Sequence, residues 1–332
     1  HLGTGLLTLS FGETVDGRVT PLDLARGWMG FNVMNELVML LNVTTPLTER
    51  NTTLQFQVNE VQRIRLVKLL QLDPIVNAHL SLPRAFAVDL AGNPSKYAPN
   101  ITVVSTSDII PPYVTSIFLN YSDGSMDIHA NEMLDVTNPQ QLDLSKILLR
   151  NTATGTDLLS SLDSSTNGHP TTTYTHTDGT ILHLILPESL RVYILSFSGT
   201  PGGDGGAAVV QIDANSVTDI ALNSLTAVPA DSSAANSIVL QEYADTTRPR
   251  LIDVEVDYGV GHVVISASET IDATPASYVQ SGQLYISNTP GDFFLPLNGA
   301  DVVEADGLAI TLTLSESARA GALRLSGTPG GD

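Results

Sequence analysis

The chain has 332 residues, 35 Asp+Glu against 15 Lys+Arg for a formal charge of −20, 42% hydrophobic residues and no cysteine. So few bases supply no patch for a phosphate backbone or an anionic membrane, and the missing thiols exclude cysteine zinc sites, iron–sulfur clusters, disulfides and thiol catalysis. The apolar fraction is that of a globular chain, while no run of 18 apolar residues predicts membrane insertion in this segment.

The start, His1-Leu2-Gly3-Thr4-Gly5, has neither Met nor a charged signal-peptide region, and reads as an interior piece of a longer chain. An alternating strand then runs into Glu13-Thr14-Val15-Asp16, and the same pattern returns at Glu132-Met133-Leu134-Asp135 and Glu269-Thr270-Ile271-Asp272, with leading glutamates 119 and then 137 residues apart. An asparagine follows each glutamate by 19 residues, at Asn32, Asn151 and Asn288. Period-2 alternation predicts strands over Leu54–Val58, Ile181–Ile185, Val254–Tyr258 and Leu308–Leu314. After the strand in each copy comes Glu-x-x-Arg, as Glu60/Arg63, Glu188/Arg191 and Glu316/Arg319. The best helical pattern is Asn59–Leu70, a crossing between sheets.

Copies one and two continue to an aspartate with asparagine four residues later, Asp89/Asn93 and Asp219/Asn223, then to a Pro-bearing linker opened by Asp108 or Asp245, each 24 residues before the next leading glutamate. Ser198-Gly199-Thr200-Pro201-Gly202-Gly203-Asp204 recurs identically as residues 326–332, ten residues after the second glutamate. Copy two carries a nine-residue insertion, placed in the polar stretch Ser160–Thr180. The expected architecture is all-β: tandem immunoglobulin-like β-sandwich repeats, about two and a half of them, over 1–108, 109–245 and 246–332, with aliphatic cores assisted by Phe11, Trp28, Phe31 and Tyr113.

This order of motifs resembles the immunoglobulin-like repeats of bacterial surface-layer and adhesin proteins, and more closely the tandem repeats of algal flagellar-hair (mastigoneme) glycoproteins. Copy two departs from the pattern in placing Leu222 where the family's glycine falls. The resemblance implies an extracellular, glycosylated, load-bearing and non-enzymatic repeat module of a filament, on the surface of a cilium, flagellum or cell. Its partners would be other subunits of the same filament through self-association, a polyproline- or hydroxyproline-rich axial protein, or a ciliary surface protein. A cell-surface adhesin binding carbohydrate or protein is the alternative, and an accessory domain of a carbohydrate-active enzyme a third reading.

No Gly-x-Ser-x-Gly elbow, His-Glu-x-x-His or Walker lysine is present, and paired carboxylates recurring in every copy are a poor fit to a single active site. His176 and His183 lack a third metal ligand. The recurring acids Glu13, Glu60, Asp89, Asp108, Glu132, Glu188, Asp219 and Asp245 are hard oxygen donors near linkers, where calcium could rigidify a string of domains. Alternatively, Glu-x-x-Arg makes a local ion pair or turn, and Asp89 and Asp219 cap turns toward Asn93 and Asn223. Four sequons, at Asn42, Asn51, Asn100 and Asn120, suit a secreted glycoprotein, although a Ser/Thr-rich chain produces some by chance.

Overall fold

A computed structural model describes residues 1–17, 30–33, 36–39, 50–72, 78–151, 158–163, 172–231, 234–288 and 291–331. The chain is all-β in character, with 41% of residues in strands and 15% in helices. The insertion expected within Ser160–Thr180 lies partly outside the described residues, as do the side chains of Trp28 and Phe31 and the sequon at Asn42.

The first repeat contains β1 (Leu6–Asp16), β2 (Gly30–Val33), β3 (Glu36–Met39), β4 (Arg50–Gln57), α1 (Glu60–Leu72), β5 (His79–Leu82) and β6 (Ala98–Thr102). β1 pairs antiparallel with β4, and a second sheet has the order β3-β2-β5-β6. Alternation along β4 sends Leu54 and Phe56 inward, where both are fully buried, and Phe56 meets Phe86 with ring centroids 5.7 Å apart. Asn59 begins α1 by accepting the Gln62 N–H at 3.0 Å, which satisfies one otherwise unpaired donor of the first turn.

In the second repeat come β7 (Val114–Asn120), β8 (Ser125–Leu134), β9 (Ile147–Asn151), β10 (Leu158–Ser161), β11 (Thr173–Tyr174), β12 (Gly179–Ile185), α2 (Glu188–Leu195), β13 (Ala208–Ile212) and β14 (Leu240–Tyr243). Its sheets have the orders β11-β12-β8-β7-β14 and β10-β9-β13, antiparallel except for the parallel pair β7–β14. One core draws on both sheets, with Ile117, Leu119, Met126, Leu149, Leu184 and Val210 fully buried.

The third repeat repeats the order with β15 (Leu251–Asp257), β16 (His262–Ile271), β17 (Tyr285–Ser287), β18 (Phe294–Pro296), β19 (Asp301–Val302), β20 (Gly307–Thr313) and α3 (Glu316–Arg324). Its sheets are β15-β16-β20-β19 and β17-β18.

Two sequence expectations change. Tyr113 is 53% exposed and is no core residue; among the described residues the buried aromatics are Phe56, Phe86 and Tyr121. The helical pattern of Asn59–Leu70 is borne out by the 13-residue α1, whereas the helices at the equivalent segments from Glu188 and Glu316 were not expected. At eight and nine residues the latter are too short to be stable alone, so tertiary packing holds them.

The duplicated Ser-Gly-Thr-Pro-Gly-Gly turn has a steric explanation. It closes the chain beneath α2 and α3 so tightly that a Cβ on Gly203 would lie 2.1 Å from the Ser198 carbonyl oxygen, and one on Gly331 1.9 Å from that of Ser326. No larger residue fits either place without moving backbone.

Candidate functional site at the repeat junctions

The Glu-x-x-Arg motif puts its two side chains one helical turn apart at the start of α1, α2 and α3, so the guanidinium and carboxylate meet as a fork. Arg63 donates Nε to Glu60 Oε2 and Nη2 to Glu60 Oε1, both at 2.7 Å. The remaining three N–H groups reach further. Nη1 bonds the Leu2 carbonyl at 2.9 Å and the linker carboxylate of Asp108, while Nη2 bonds Glu132 Oε2 of the second repeat at 2.8 Å. All five guanidinium donors are thereby used, which a lysine ammonium could not do.

The second junction reproduces this arrangement residue by residue. Arg191 forks onto Glu188 at 2.7 and 2.8 Å, bonds the Tyr121 carbonyl, bonds Asp245 Oδ2 at 2.7 Å and lies 3.7 Å from Glu269 Oε2. Glu60 and Glu188 use their other capacity across the junction too, Glu60 Oε1 accepting the Met133 N–H at 3.0 Å and Glu188 Oε1 the Thr270 N–H at 2.8 Å. Each linker aspartate also holds its own turn, Asp108 Oδ1 accepting from Ile110 at 3.1 Å and Asp245 Oδ1 from Thr247 at 2.9 Å. In the third repeat Arg319 forks onto Glu316 at 2.7 and 2.6 Å and bonds the Tyr258 carbonyl at 2.6 Å.

Burial sets the energetics. Side-chain exposure is 4% for Arg63, 2% for Asp108 and 5% for Glu132, so three charges sit out of water at the first junction. Such charges are tolerated only when paired and hydrogen-bonded. Burial pulls the Arg63 pKa down, but Glu60, Asp108 and Glu132 outweigh it and leave the guanidinium more firmly protonated than usual. Burial pushes the Glu132 carboxyl up to about 7, with Arg63 opposing and Asp108, Asp219 and Glu60 adding to the rise. Glu269 is raised for the same leading reason, desolvation, with Asp245 assisting.

Apolar and polar contacts support the first clamp. Ile64 and Val67 of α1 pack with Ile220 of the second repeat, flanked by Leu2, Met133 and Ala221. Burying side chains of this size is worth about 1.5–3 kcal/mol each. Lys68 reaches Asp178 at 2.7 Å, and Gln71 donates to the Ile220 carbonyl at 2.9 Å. Asp178 in turn accepts the Val136 and Thr137 N–H groups at 3.1 and 3.0 Å.

Of the eight acids singled out from the sequence, Glu60, Asp108, Glu132 and Asp219 come together at the first junction, and Glu188 and Asp245 at the second. Glu13 lies exposed on β1. Asp89 serves a turn, accepting Asn93 N at 2.7 Å and the Asn93 side-chain amide at 2.7 Å, and those bonds hold its pKa low. Asp219 makes the same bonds to Asn223, both at 2.8 Å, but is buried, and desolvation reverses the direction of its shift. Asp108, Glu132 and Asp219 offer carboxylate oxygens within 4.8 Å of one another, a hard-cation donor set, yet the Arg63 guanidinium already bonds two of the three.

Sequence reasoning missed that Arg63 and Arg191 are the hubs and that Lys68 and Asp178 form a cross-junction pair. The available signal was an arginine at a fixed place in every copy of a chain with only 15 bases. The sequon residues Asn51 and Asn100 are exposed, whereas Asn120 is half-buried at the end of β7 and accepts the Ser122 N–H at 2.9 Å. His183 pairs with Asp127 at 2.5 Å across β12 and β8, and the His176 ring lies tilted against Tyr174 with centroids 4.2 Å apart. No helix is long and apolar enough to cross a membrane among the described residues.

No protein-family model matches the chain, and no curated protein matches it.

Proposed function

We propose that the chain is a structural, non-enzymatic module: a string of immunoglobulin-like β-sandwiches from an extracellular, filament-forming glycoprotein of the flagellar-hair kind. The observation that carries this reading is the arginine clamp. The same guanidinium takes the same carboxylate fork, the same backbone carbonyl, a linker aspartate and the next repeat's glutamate at both junctions. A buried clamp, with all five donors bonded at Arg63 and a longer 3.7 Å contact to Glu269 at Arg191, resists hinge bending, because bending would expose or unpair a charge at a cost of several kcal/mol. Two-sheet units with cores drawn from both sheets support the immunoglobulin-like description. Arg319 and Glu316 carry the half of the clamp that belongs to the end of a repeat, which suits a periodic string.

The mechanism is mechanical. Pro-bearing linkers and clamps hold neighbouring units in fixed relation, and the net charge of −20 limits nonspecific association, leaving specific contacts to build the filament. Electron microscopy of the protein tests this: a filament subunit appears as straight rods that join into regular polymers. Isolated rods that bind glycans on an array would favour the adhesin reading, and chains flexing freely between units would defeat the mechanical one.

A further inference from the structure

The outer face of the larger sheet in the second repeat carries an aromatic cluster that is not repeated at the equivalent places of the other copies. Alternation along β7 sends Ile117, Leu119 and Tyr121 into the core, fully buried, and leaves Phe118 and Asn120 together on the solvent side. The neighbouring strand β14 sets Tyr243 opposite Asn120. The Phe118 and Tyr243 rings lie nearly parallel, with 16° between their planes and 6.2 Å between centroids, and the His129 ring of β8 meets Phe118 edge-on at 5.1 Å. Tyr243 is 52% exposed, so core packing does not account for it. By the 137-residue offset of the leading glutamates the third repeat has Glu255 and Asp257 in place of Phe118 and Asn120, and by the equal offset of the linker aspartates the first has Thr106 in place of Tyr243.

Phe118, Asn120 and Tyr243 line an open groove of about 280 Å³, completed on the β8 side by Ser125 and Asp127. Asn120 opens the sequon Asn120-Tyr121-Ser122, and of the four sequons it alone has an aromatic residue two places before it; Asn42, Asn51 and Asn100 have Leu40, Glu49 and Ala98 there. Asn120 Oδ1 accepts the Ser122 N–H at 2.9 Å, while its Nδ2 donates to no group among the described residues. The rest of the sequon is tied to the second junction. Tyr121 N donates to the Tyr243 carbonyl at 3.0 Å, the Tyr121 carbonyl accepts from Arg191, and Ser122 Oγ accepts the Thr246 N–H of the linker at 2.9 Å.

We propose that Asn120 is an N-glycosylation site whose first N-acetylglucosamine is seated in this groove, against Phe118 and Tyr243, so that the sugar braces the sheet beside the second junction. On the unfolded chain, Asn120 Nδ2 bonds the anomeric carbon of an oligosaccharide carried on a lipid pyrophosphate. The bond from that carbon to the pyrophosphate oxygen breaks, the lipid pyrophosphate leaves with the electron pair, and the amide proton passes to a base of the transferase. Once the repeat folds, the two-residue spacing on one strand puts the attachment atom and the Phe118 ring on the same face. The C–H face of the sugar meets the electron-rich faces of the two rings, and its hydroxyl and N-acetyl groups find hydrogen-bonding partners in Ser125 and Asp127. The proposal deepens the extracellular-glycoprotein reading and rests on it for the site to be used in the natural protein.

The test expresses the 332-residue chain behind an added signal peptide in a secretory eukaryotic cell line, so the seat is examined wherever the natural protein resides. Glycans are trimmed to one N-acetylglucosamine by an endoglycosidase, occupancy is read by glycopeptide mass, and amide hydrogen exchange is compared with that of the same chain made without sugar in the bacterial cytosol. Asn120 is expected to be occupied, with exchange over Leu240–Tyr243 about fivefold slower in the sugar-bearing chain. That ratio is expected to return to about one in Phe118→Ala and in Tyr243→Ala, the second being a surface change that keeps the test decisive if the first does not fold. An unoccupied Asn120, an occupied one that leaves exchange unchanged, or slowing that persists in Tyr243→Ala overturns the proposal. Glycan-free protein from the natural source would instead overturn the extracellular reading.

Discussion

Replacing Arg63 by alanine is the sharpest perturbation of the junction. It removes five hydrogen bonds in one step, two to Glu60 and one each to Leu2, Asp108 and Glu132, and leaves two buried carboxylates with no cation. Deleting one partner of a buried, hydrogen-bonded charge group costs about 3–5 kcal/mol, more than the net worth of the group, because the remaining charges keep their desolvation penalty. The five bonds cannot simply be added, since they share one guanidinium. Arg63→Lys falls between, as an ammonium cannot supply the fork and three further donors together. Because a chain of several units need not unfold in one step, the loss is read locally, by urea dependence of hydrogen exchange in α1 and β8, with small-angle scattering to register any bending at the junction. Arg319→Ala is the internal control: the motif and fork are the same, but Glu316 is 76% exposed at its side chain, so a much smaller loss is expected. Equal losses in the two variants, or a loss below about 1 kcal/mol for Arg63→Ala, would refute the reasoning that burial across the junction gives the clamp its strength.

Three further outcomes follow from the same geometry. The Glu132 carboxyl, at about 7 in the folded chain against an ordinary 4.5, holds a proton between those two values that the unfolded chain has released; stability therefore falls as pH rises through this window, and Glu132→Gln is expected to flatten that slope in urea midpoints taken from pH 5 to 8. Leu222 has φ of +71° where the equivalent Gly92 has +87°, and it is 61% exposed, so Leu222→Gly relieves strain without opening a cavity. A gain of about 1 kcal/mol is expected, and a loss in chemical denaturation would count against it. Because Arg63 already bonds Asp108 and Glu132, the melting temperature is expected to be the same in calcium and in chelator; a rise of several degrees with calcium would show that a cation takes over this carboxylate set.

How much of the junction was legible depended on the kind of signal. Constant offsets marked Glu60, Asp108 and Glu132 with their second-junction equivalents, because the charged residues of the clamp are the same in both copies, while neighbours such as Leu2/Tyr121 and Met133/Thr270 differ. Their common partner stayed hidden, since Arg63 and Glu132 are 69 residues apart and spacing carries no information about which charges face one another. Asp89 and Asp219 show the limit from the other side. Their motifs are the same and their turn bonds agree within about 0.1 Å, yet one carboxyl is held low and the other raised, because only Asp219 is buried.

The sequence by itself determined the strand-rich character, the threefold recurrence of the motifs and the places of the turns, all of which rest on local rules: alternation of period two, proline's missing donor and glycine's access to crowded backbone. Only the tertiary structure decided that Glu-x-x-Arg opens a helix in the second and third copies as it does in the first, and that acids from the helix, the linker and the next copy meet a single arginine at each junction. Those outcomes depend on which surfaces bury one another, and burial is what turns a scattered negative charge into a clamp.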